Sequence, residues 1–276
     1  MKLPRRQFLK TSLAASATAA IAGRASAASA PAGAAREYYE LRAYRVKPGA
    51  SFALVEGYLE KALLPALAQR GVKPAGVFTE LEVDKRAATS KPKADTPLWV
   101  LIPHASLESF AGVSADLNTD AAVQAAGAAY LGVAKATPAF DRVDTWLYRA
   151  FASMPRMEVP AFSAKRTPGR VFEMRDYESH SERAALSKMA MFDNGETQLM
   201  RDLGMSPLFF GQGIAGPNLP HLRYITGGSD LAAHLAPWAK FGPDPRWVKL
   251  RDDPQYKDNM TKNTPRFLAP TAYSQI

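Results

Sequence analysis

A Glu-x-Arg-x-Tyr pattern occurs twice in the 276-residue chain, and its side chains are of types that bind anions. The six residues are Glu40, Arg42, Tyr44, Glu173, Arg175 and Tyr177. An arginine guanidinium matches the oxygens of a carboxylate or a phosphate, and a tyrosine hydroxyl can donate a further hydrogen bond beside it. We therefore take these six residues as the candidate ligand-binding site for a small anionic molecule. The sequence identifies no catalytic residue.

Strand periodicity places each Glu-x-Arg-x-Tyr set on one face of its strand, because alternate side chains point the same way. Tyr39 and Leu41 lie on the opposite, apolar face. We expect the apolar face to pack under helices and the polar face to line the interior of a barrel, forming a pocket. The alternative is that Glu and Arg, two residues apart on one face, pair with each other and bind no ligand.

Both patterns belong to a longer internal repeat. Residues 172–177 repeat residues 39–44 at a spacing of 133, and Gly71-Val72-Lys73-Pro74 recurs at the same spacing as Gly204-Met205-Ser206-Pro207. Two matches in one register predict two copies of a unit of roughly 110 to 120 residues. The predicted organisation is a first domain over 37–151, a linker over 152–169 and a second domain over 170–276.

Each copy is predicted to have the order strand, helix, strand, strand, helix, strand. In the first copy these are 38–46, 51–69, 74–83, 98–103, a helical region over 107–136, and 142–151. In the second copy they are 170–178, 182–203, 206–215, 221–226, a helical region over 230–252, and 266–274. This order predicts an α+β fold of two ferredoxin-like units, each with helices on one face of an antiparallel sheet. The polar insertion over 83–97 is predicted to be an exposed hairpin loop.

Three segments resemble the NIPSNAP family. They are Tyr39-Glu40-Leu41-Arg42-Ala43-Tyr44 with Lys47-Pro48-Gly49, the stretch from Trp238 to Trp247, and Phe267-Leu268-Ala269-Pro270. The resemblance covers nearly all of 37–276 as two tandem copies. It implies the dimeric α/β-barrel fold, which two copies on one chain can close as a pseudo-dimer. Similar barrels include cofactor-free monooxygenases, haem enzymes and proteins without known catalysis, so the resemblance defines no reaction.

The second copy alone keeps an aromatic cluster at helical spacing, Trp238, Phe241 and Trp247. We expect these rings to pack in the core, with Asp244 capping a new helical turn that Pro245 begins. The first copy has small or aliphatic residues at the corresponding positions, Ser114, Leu117 and Val123. Any role of the cluster therefore belongs to the second copy.

The first 27 residues are predicted to be a twin-arginine signal peptide. Arg5-Arg6 precedes a short apolar stretch over 11–23, and a small-residue site follows, with cleavage after Ala27 or Ala30. The apolar stretch is too short to span a bilayer, which needs about 20 apolar residues, so we expect a periplasmic protein with no membrane span after cleavage. Five basic residues leave with the leader, which reduces the net charge from +9 to +4 and gives no reason to expect a nucleic-acid partner.

The chain has no cysteine, which excludes disulfides and thiol chemistry. Its four histidines, His104, His180, His221 and His234, form no closely spaced metal-binding pair, so no metal and no cofactor are assigned. The leading functional hypothesis is an exported ligand-binding protein of undefined biochemical activity. One alternative is a cofactor-independent oxygenase or isomerase acting on a small organic acid. The other is a non-catalytic structural partner that forms homo-oligomers.

Overall fold

Nine strands and ten α-helices make up the part of the chain that the structure, a computed structural model, describes, residues 35–276. The strands are β1 Tyr38–Arg45, β2 Gly76–Asp84, β3 Thr89–Pro92, β4 Leu98–His104, β5 Arg142–Ala150, β6 Val171–Glu178, β7 Pro207–Ala215, β8 His221–Gly228 and β9 Lys262–Pro270. The predicted signal peptide, residues 1–27, and its two cleavage sites lie outside the described residues.

The helices of the two copies follow the same plan. In the first copy they are α1 Ala53–Tyr58, α2 Leu64–Gln69, α3 Leu107–Thr119, α4 Ala121–Ala126 and α5 Ala128–Leu131, and α6 Ala161–Ala164 lies between the copies. In the second copy they are α7 Glu182–Met191, α8 Thr197–Asp202, α9 Leu231–Phe241 and α10 Pro245–Asp252, followed by a 3-10 turn over Pro254–Tyr256. Within residues 35–276, no helix combines the length and the apolar character needed to cross a bilayer.

The strands close an antiparallel eight-stranded barrel within the single chain. The strand order is β2-β4-β1-β5-β7-β8-β6-β9, and β9 pairs with β2 to complete the ring. The last strand of each copy thus pairs with the second strand of the other, as β5 with β7 and β9 with β2. The predicted fold, two ferredoxin-like units closing an intramolecular pseudo-dimeric barrel, is confirmed.

The first helical region ends at Leu131 and not at 136, and two further predicted segments differ from the structure. The final strand is Lys262–Pro270, four residues before the predicted 266–274, because the first copy has a longer helical region ahead of its own last strand. The insertion over 83–97 is exposed as predicted, but it contains a strand, since β3 pairs with the end of β2. A hairpin therefore projects from the barrel in the first copy only.

The barrel interior is filled by apolar and aromatic side chains from both copies. Tyr39 and Leu41 of β1 and Phe172 and Met174 of β6 are all fully buried there, in one cluster with Trp99. The opposite face of each strand lies under the helices of its own copy, where Tyr44 and Tyr177 belong to separate helix-side clusters. Both faces of the strands are therefore covered, one by the barrel and the other by helices.

The predicted orientation of β1 and β6 was therefore wrong. The residues placed in the barrel interior, Glu40, Arg42, Tyr44, Glu173, Arg175 and Tyr177, lie instead between the sheet and the helices. The physical reason is that the buried carboxylates find polar partners on this side of the sheet. His104 of β4 meets Glu40 there, and His234 of α9 meets Glu173.

The segment over 152–169 covers one end of the barrel. Met157, Val159 and Phe162 pack against the interior cluster. The backbone N–H of Met157 donates to Glu37 Oε2 at 2.7 Å, which fixes the segment against the start of β1. The predicted linker thus contributes side chains to the core.

Candidate functional site

A wide helical turn interrupts the first helix of each copy at the same place. The π-helical turns are Leu59–Leu63 and Phe192–Glu196, again 133 residues apart. Such turns are frequent at functional sites because they redirect side chains within a helix. In the second copy Gly195 takes φ 147°, a conformation that favours glycine.

In the first copy, Glu40 holds an arginine and a histidine. Its Oε1 accepts a hydrogen bond from Arg42 Nε at 2.5 Å, and its Oε2 lies 3.4 Å from His104 Nε2. Burial alone would raise the pKa of Glu40, but the hydrogen bond with His104 and the charge on Arg42 outweigh it and lower that pKa. The other ring nitrogen of His104 lies 3.3 Å from Ser109 Oγ, so this group is internally satisfied.

The second copy builds the same arrangement around Glu173. Its Oε1 lies 2.9 Å from Arg175 Nη2, and its Oε2 lies 2.9 Å from His234 Nε2. Burial opposes the ionisation of Glu173, yet His234 and Arg175 together lower its pKa. The alternative reading of the sequence pattern, an ion pair between Glu and Arg, is therefore what both copies contain.

The histidine reaches this glutamate from a different element in each copy. His104 lies on β4, with Phe110 of α3 packed against its ring at 5.6 Å between centroids. The strand register places Gly228 at the position of His104, and the 124-residue spacing places His234 of α9 at that of Phe110. A Cβ on Gly228 would lie 2.5 Å from the backbone N of His234. The missing side chain on the strand makes room for the helix that carries the imidazole.

Replacing Gly228 with alanine is expected to lower the free energy of unfolding by about 1–3 kcal/mol, because the added methyl group pushes α9 away from the sheet. Urea denaturation followed by circular dichroism measures the change. Gly57→Ala is the control: it lies in α1 with open space around it, and alanine there is expected to be neutral or stabilising. Equal effects at the two positions would contradict the packing argument.

Five buried polar atoms at and around Glu173 have no hydrogen-bond partner within residues 35–276. They are Arg175 Nε, Thr226 Oγ1, His234 Nδ1, Trp238 Nε1 and Glu173 Oε1, the last in ion-pair contact with Arg175. The first copy differs at the equivalent positions: Arg42 Nε is bound to Glu40, while Ile102 and Phe110 replace Thr226 and His234. Buried polar groups are normally paired, so a cluster of unpaired ones marks a place where a polar group can bind.

Arg175 stacks on the first ring of the aromatic cluster. Its guanidinium carbon lies 3.8 Å from the ring centroid of Trp238, within the range of a cation–π interaction. Burial opposes the charge on Arg175, but Tyr224 and Glu173 outweigh it and raise its pKa. The side chain keeps 14% of its surface accessible, whereas Glu173 is fully buried. Arg175 is thus the charged group of this cluster that solvent reaches.

The predicted packing of the aromatic cluster is confirmed. Phe241 lies 5.6 Å from Trp238 and 4.6 Å from Trp247, measured between ring centroids. Asp244 caps α10 as predicted, accepting a hydrogen bond from the backbone N–H of Arg246 at 2.9 Å, and Pro245 is the first helical residue. The cluster joins α9 to α10 above the second sheet.

A second buried ion pair lies beside the π-helical turn of the second copy. Lys188 Nζ is 3.0 Å from Glu196 Oε2, and both residues are at most 5% exposed. The amine lies within 5.5 Å of the ring centroids of Tyr177, Phe192 and Trp247. Burial raises the pKa of Glu196, and Lys188 offsets this only in part. This pair was not predicted from the sequence, although Lys188 and Glu196 stand 133 residues after the apolar Val55 and Leu63.

Tyr177 and Tyr224 complete the polar side of this layer. Their hydroxyl oxygens are 2.9 Å apart, and burial raises the pKa of Tyr224 well above its ordinary value. Tyr224 therefore stays protonated at neutral pH. Glu173, Arg175 and Tyr177 thus lie on one face of β6, and Glu40, Arg42 and Tyr44 lie on one face of β1. The two sets remain apart, each under the helices of its own copy.

The barrel interior has a charged end of its own, built from residues that the sequence analysis did not select. Asp176 accepts hydrogen bonds from Arg223 Nη2 at 2.8 Å and from Arg266 Nη1 at 2.7 Å. Glu80 accepts one from Trp99 Nε1 at 3.0 Å. The available signal was Asp176 itself, which occupies the position of Ala43 in the repeat.

This architecture, an eight-stranded antiparallel barrel made of two ferredoxin-like halves with helices outside, is the dimeric α/β barrel. Among solved structures, a putative monooxygenase from Lactobacillus acidophilus matches with a TM-score of 0.51 at 7% identity, over 85% of this chain and 94% of that one. A putative monooxygenase from Fusobacterium nucleatum matches with a TM-score of 0.51 at 11% identity, over 86% and 93%. At such identities the likeness concerns the fold alone.

The second half of the chain matches the NIPSNAP family. The model of that family matches residues 172–275, and a model of the twin-arginine translocation pathway signal sequence matches residues 2–22. An uncharacterized NIPSNAP-like domain protein from Burkholderia xenovorans is 18% identical, with a TM-score of 0.35 over 38% of this chain and 89% of that one. No curated protein matches the chain. The chain therefore carries an export signal and a NIPSNAP-like second half.

Proposed function

We propose that this exported protein binds a small carboxylic acid between the sheet and the helices of its second copy, with Arg175 as the anchor of the carboxylate. One contrast carries the proposal: Arg42 gives its Nε–H to Glu40, whereas the Nε–H of Arg175 has no partner among the described residues. The twin-arginine signal supports a periplasmic location for this binding.

The second helix layer contains two ion pairs, Arg175 with Glu173 and Lys188 with Glu196. The unpaired donors of the layer, and not a net charge, favour a bound anion. A bound carboxylate would accept from Arg175 Nε–H and from the indole N–H of Trp238, two donors that otherwise remain buried and unpaired.

The walls of the layer favour a ligand with an apolar or aromatic body. Tyr177, Tyr224, Phe241 and Trp247 belong to or pack against one cluster on the helix side of β6 and β8. Trp238 lies across Arg175 and is itself only partly buried. A flat aromatic acid would cover part of the exposed face of Trp238. The burial of this apolar surface would add to the charge interaction with Arg175.

Replacing Arg175 with methionine is expected to weaken benzoate binding by about 10- to 100-fold, the cost of losing a charge-assisted hydrogen bond. Isothermal titration calorimetry measures benzoate against benzamide, which has the same shape and no charge. The unaltered protein is expected to bind benzoate far more tightly than benzamide. Arg175→Met is expected to abolish this difference in affinity.

Arg42→Met is the matched control, because Arg42 occupies the same place in the first copy and is already committed to Glu40. It is expected to leave benzoate binding unchanged. Equal loss in both variants, or no preference for benzoate over benzamide, would count against the site. Native mass spectrometry of protein purified from the periplasm supplies a second readout, since it detects both a retained acid and a homo-oligomer.

A further inference from the structure

We infer that His234 acts as a general base on the bound acid and that the protein catalyses the enolisation of a small 2-oxo acid. This rests on the proposed anion site at Arg175. This catalytic role goes beyond the binding proposal and follows from how Glu173 holds the imidazole.

The hydrogen bond to Glu173 fixes the tautomer of His234. Glu173 is ionised, so it accepts the hydrogen bond, and His234 Nε2 must carry the proton at 2.9 Å. In the neutral ring the lone pair then lies on Nδ1. That atom has no hydrogen-bond partner within residues 35–276, and the residue is 1% exposed. A carboxylate that orients an imidazole and leaves its second nitrogen available is the arrangement of a histidine general base.

The first copy shows the same pair without this property. His104 also lies against a glutamate, but its Nδ1 lies 3.3 Å from Ser109 Oγ. At the 124-residue spacing, Ala233 is the counterpart of Ser109 in the second copy, and alanine has no hydroxyl group. An available imidazole nitrogen and an available guanidinium N–H therefore occur together only in the second copy.

The base and the anchor are held by the two oxygens of one carboxylate. Arg175 Nη2 lies 2.9 Å from Glu173 Oε1, and His234 Nε2 lies 2.9 Å from Glu173 Oε2. Under this proposal the carbons next to the bound carboxylate lie within reach of the imidazole, because Glu173 contacts both side chains. Such fixed proximity is a main source of rate acceleration. Glu173 is the positioning residue of this group.

The proposed step moves one proton and needs no oxidant. His234 Nδ1 takes a proton from C3 of the 2-oxo acid, and the C–H bonding pair forms the double bond between C2 and C3. The π pair of the C2 carbonyl moves onto its oxygen, and the positive charge of Arg175 stabilises the resulting enolate. The imidazolium then returns the proton to the oxygen, giving the enol, or to C3, giving exchange with solvent.

Phenylpyruvate is the probe, because it combines a 2-oxo acid with an aromatic ring. Proton NMR in D₂O follows the replacement of its C3 protons by deuterium, with the spontaneous rate subtracted. The His234→Phe variant places the first copy's residue, Phe110, at the corresponding position. Its exchange rate is expected to fall by a factor of at least about 100, which is the contribution of a general base. Its affinity for phenylpyruvate is expected to change by less than about threefold. The control is His180→Gln, an exposed histidine outside the site, with an unchanged rate.

Phenylpyruvate binding is measured separately by calorimetry, so the two proposals fail in different ways. Binding without accelerated exchange overturns the general base and leaves the binding proposal intact, while absence of binding overturns both. Undiminished exchange in His234→Phe also overturns the general base. His234→Gln replaces this variant if near-ultraviolet circular dichroism shows that it is misfolded, and the same criteria apply.

Discussion

Replacing Glu196 with leucine is expected to lower the free energy of unfolding by about 3–5 kcal/mol, because it leaves the charge of Lys188 buried without a carboxylate. The amine of Lys188 lies 3.0 Å from Glu196 Oε2, and Lys188 is only 5% exposed, so water cannot replace the lost partner. The aromatic rings around the amine offset part of this loss of stability, since each cation–π contact contributes about 0.5–2 kcal/mol. Urea denaturation at pH 7 measures the difference.

The double variant Lys188→Val with Glu196→Leu separates the pair from its surroundings. It installs the residues of the first copy at the same positions, Val55 and Leu63, which are buried beside the corresponding turn of that copy. We expect its stability to equal that of the unaltered protein or to exceed it by up to about 4 kcal/mol. A double variant as unstable as Glu196→Leu alone would mean that the pair itself holds the turn together.

The repeat explains why the fold was predictable from the sequence. The spacing of 133 residues relates β1 to β6 and also relates the two π-helical turns, so one pattern predicts the order of elements twice. The changes in spacing were less visible. The first copy carries extra residues before β5, so extending the 124-residue spacing placed the final strand four residues too late. Helix ends and loops tolerate such changes without altering the barrel.

The orientation of the strands was not predictable from alternation alone. Alternating polarity identifies the buried face when only one face is covered. In β1 and β6 both faces are buried, the first by the opposite copy and the second by helices. Glu40 and Glu173 are tolerated under the helices because His104 and His234 meet them there, and those histidines lie far along the chain. Their pairing depends on strand register and helix docking.

The residues that distinguish the two copies were visible in the repeat but were not selected. Lys188, Glu196 and Asp176 replace Val55, Leu63 and Ala43 at equivalent positions. Each places a charge where the other copy has an apolar side chain, and burying a charge is costly unless it is paired. The structure supplies the partners, and all three lie in the second copy, which also contains the proposed site.

Replacing Asp176 with asparagine is expected to cost about 3–5 kcal/mol of unfolding free energy at pH 7, because one carboxylate serves two arginines inside the barrel. Arg223 Nη2 and Arg266 Nη1 lie 2.8 Å and 2.7 Å from Asp176 Oδ2. Arg223 is buried and stacks over Trp146 at 4.7 Å, so its charge cannot move into water. The remaining carboxylate, Glu80, lies 3.9 Å from Arg266 and does not compensate for both.

The pH dependence of this loss has a definite sign. Burial would raise the pKa of Asp176, but Arg223 and Arg266 outweigh it and hold that pKa below its ordinary value. A carboxyl group with a lowered pKa in the folded state stabilises the fold fully above its unfolded pKa of about 3.9 and progressively less as the pH falls through the folded value. The stability difference between the unaltered protein and Asp176→Asn should therefore be largest near neutral pH and shrink in acid.

Asp144→Asn is the control for this series, since Asp144 pairs with the half-exposed Arg45 at 3.0 Å where solvent reaches both side chains. An exposed pair of this kind contributes about 0–1 kcal/mol, so we expect little change at any pH. Denaturation curves from pH 3 to pH 7 for the unaltered protein and the two variants measure these stability differences. A difference for Asp176→Asn that stays constant in acid would show that lost shape, and not lost charge, destabilises the barrel.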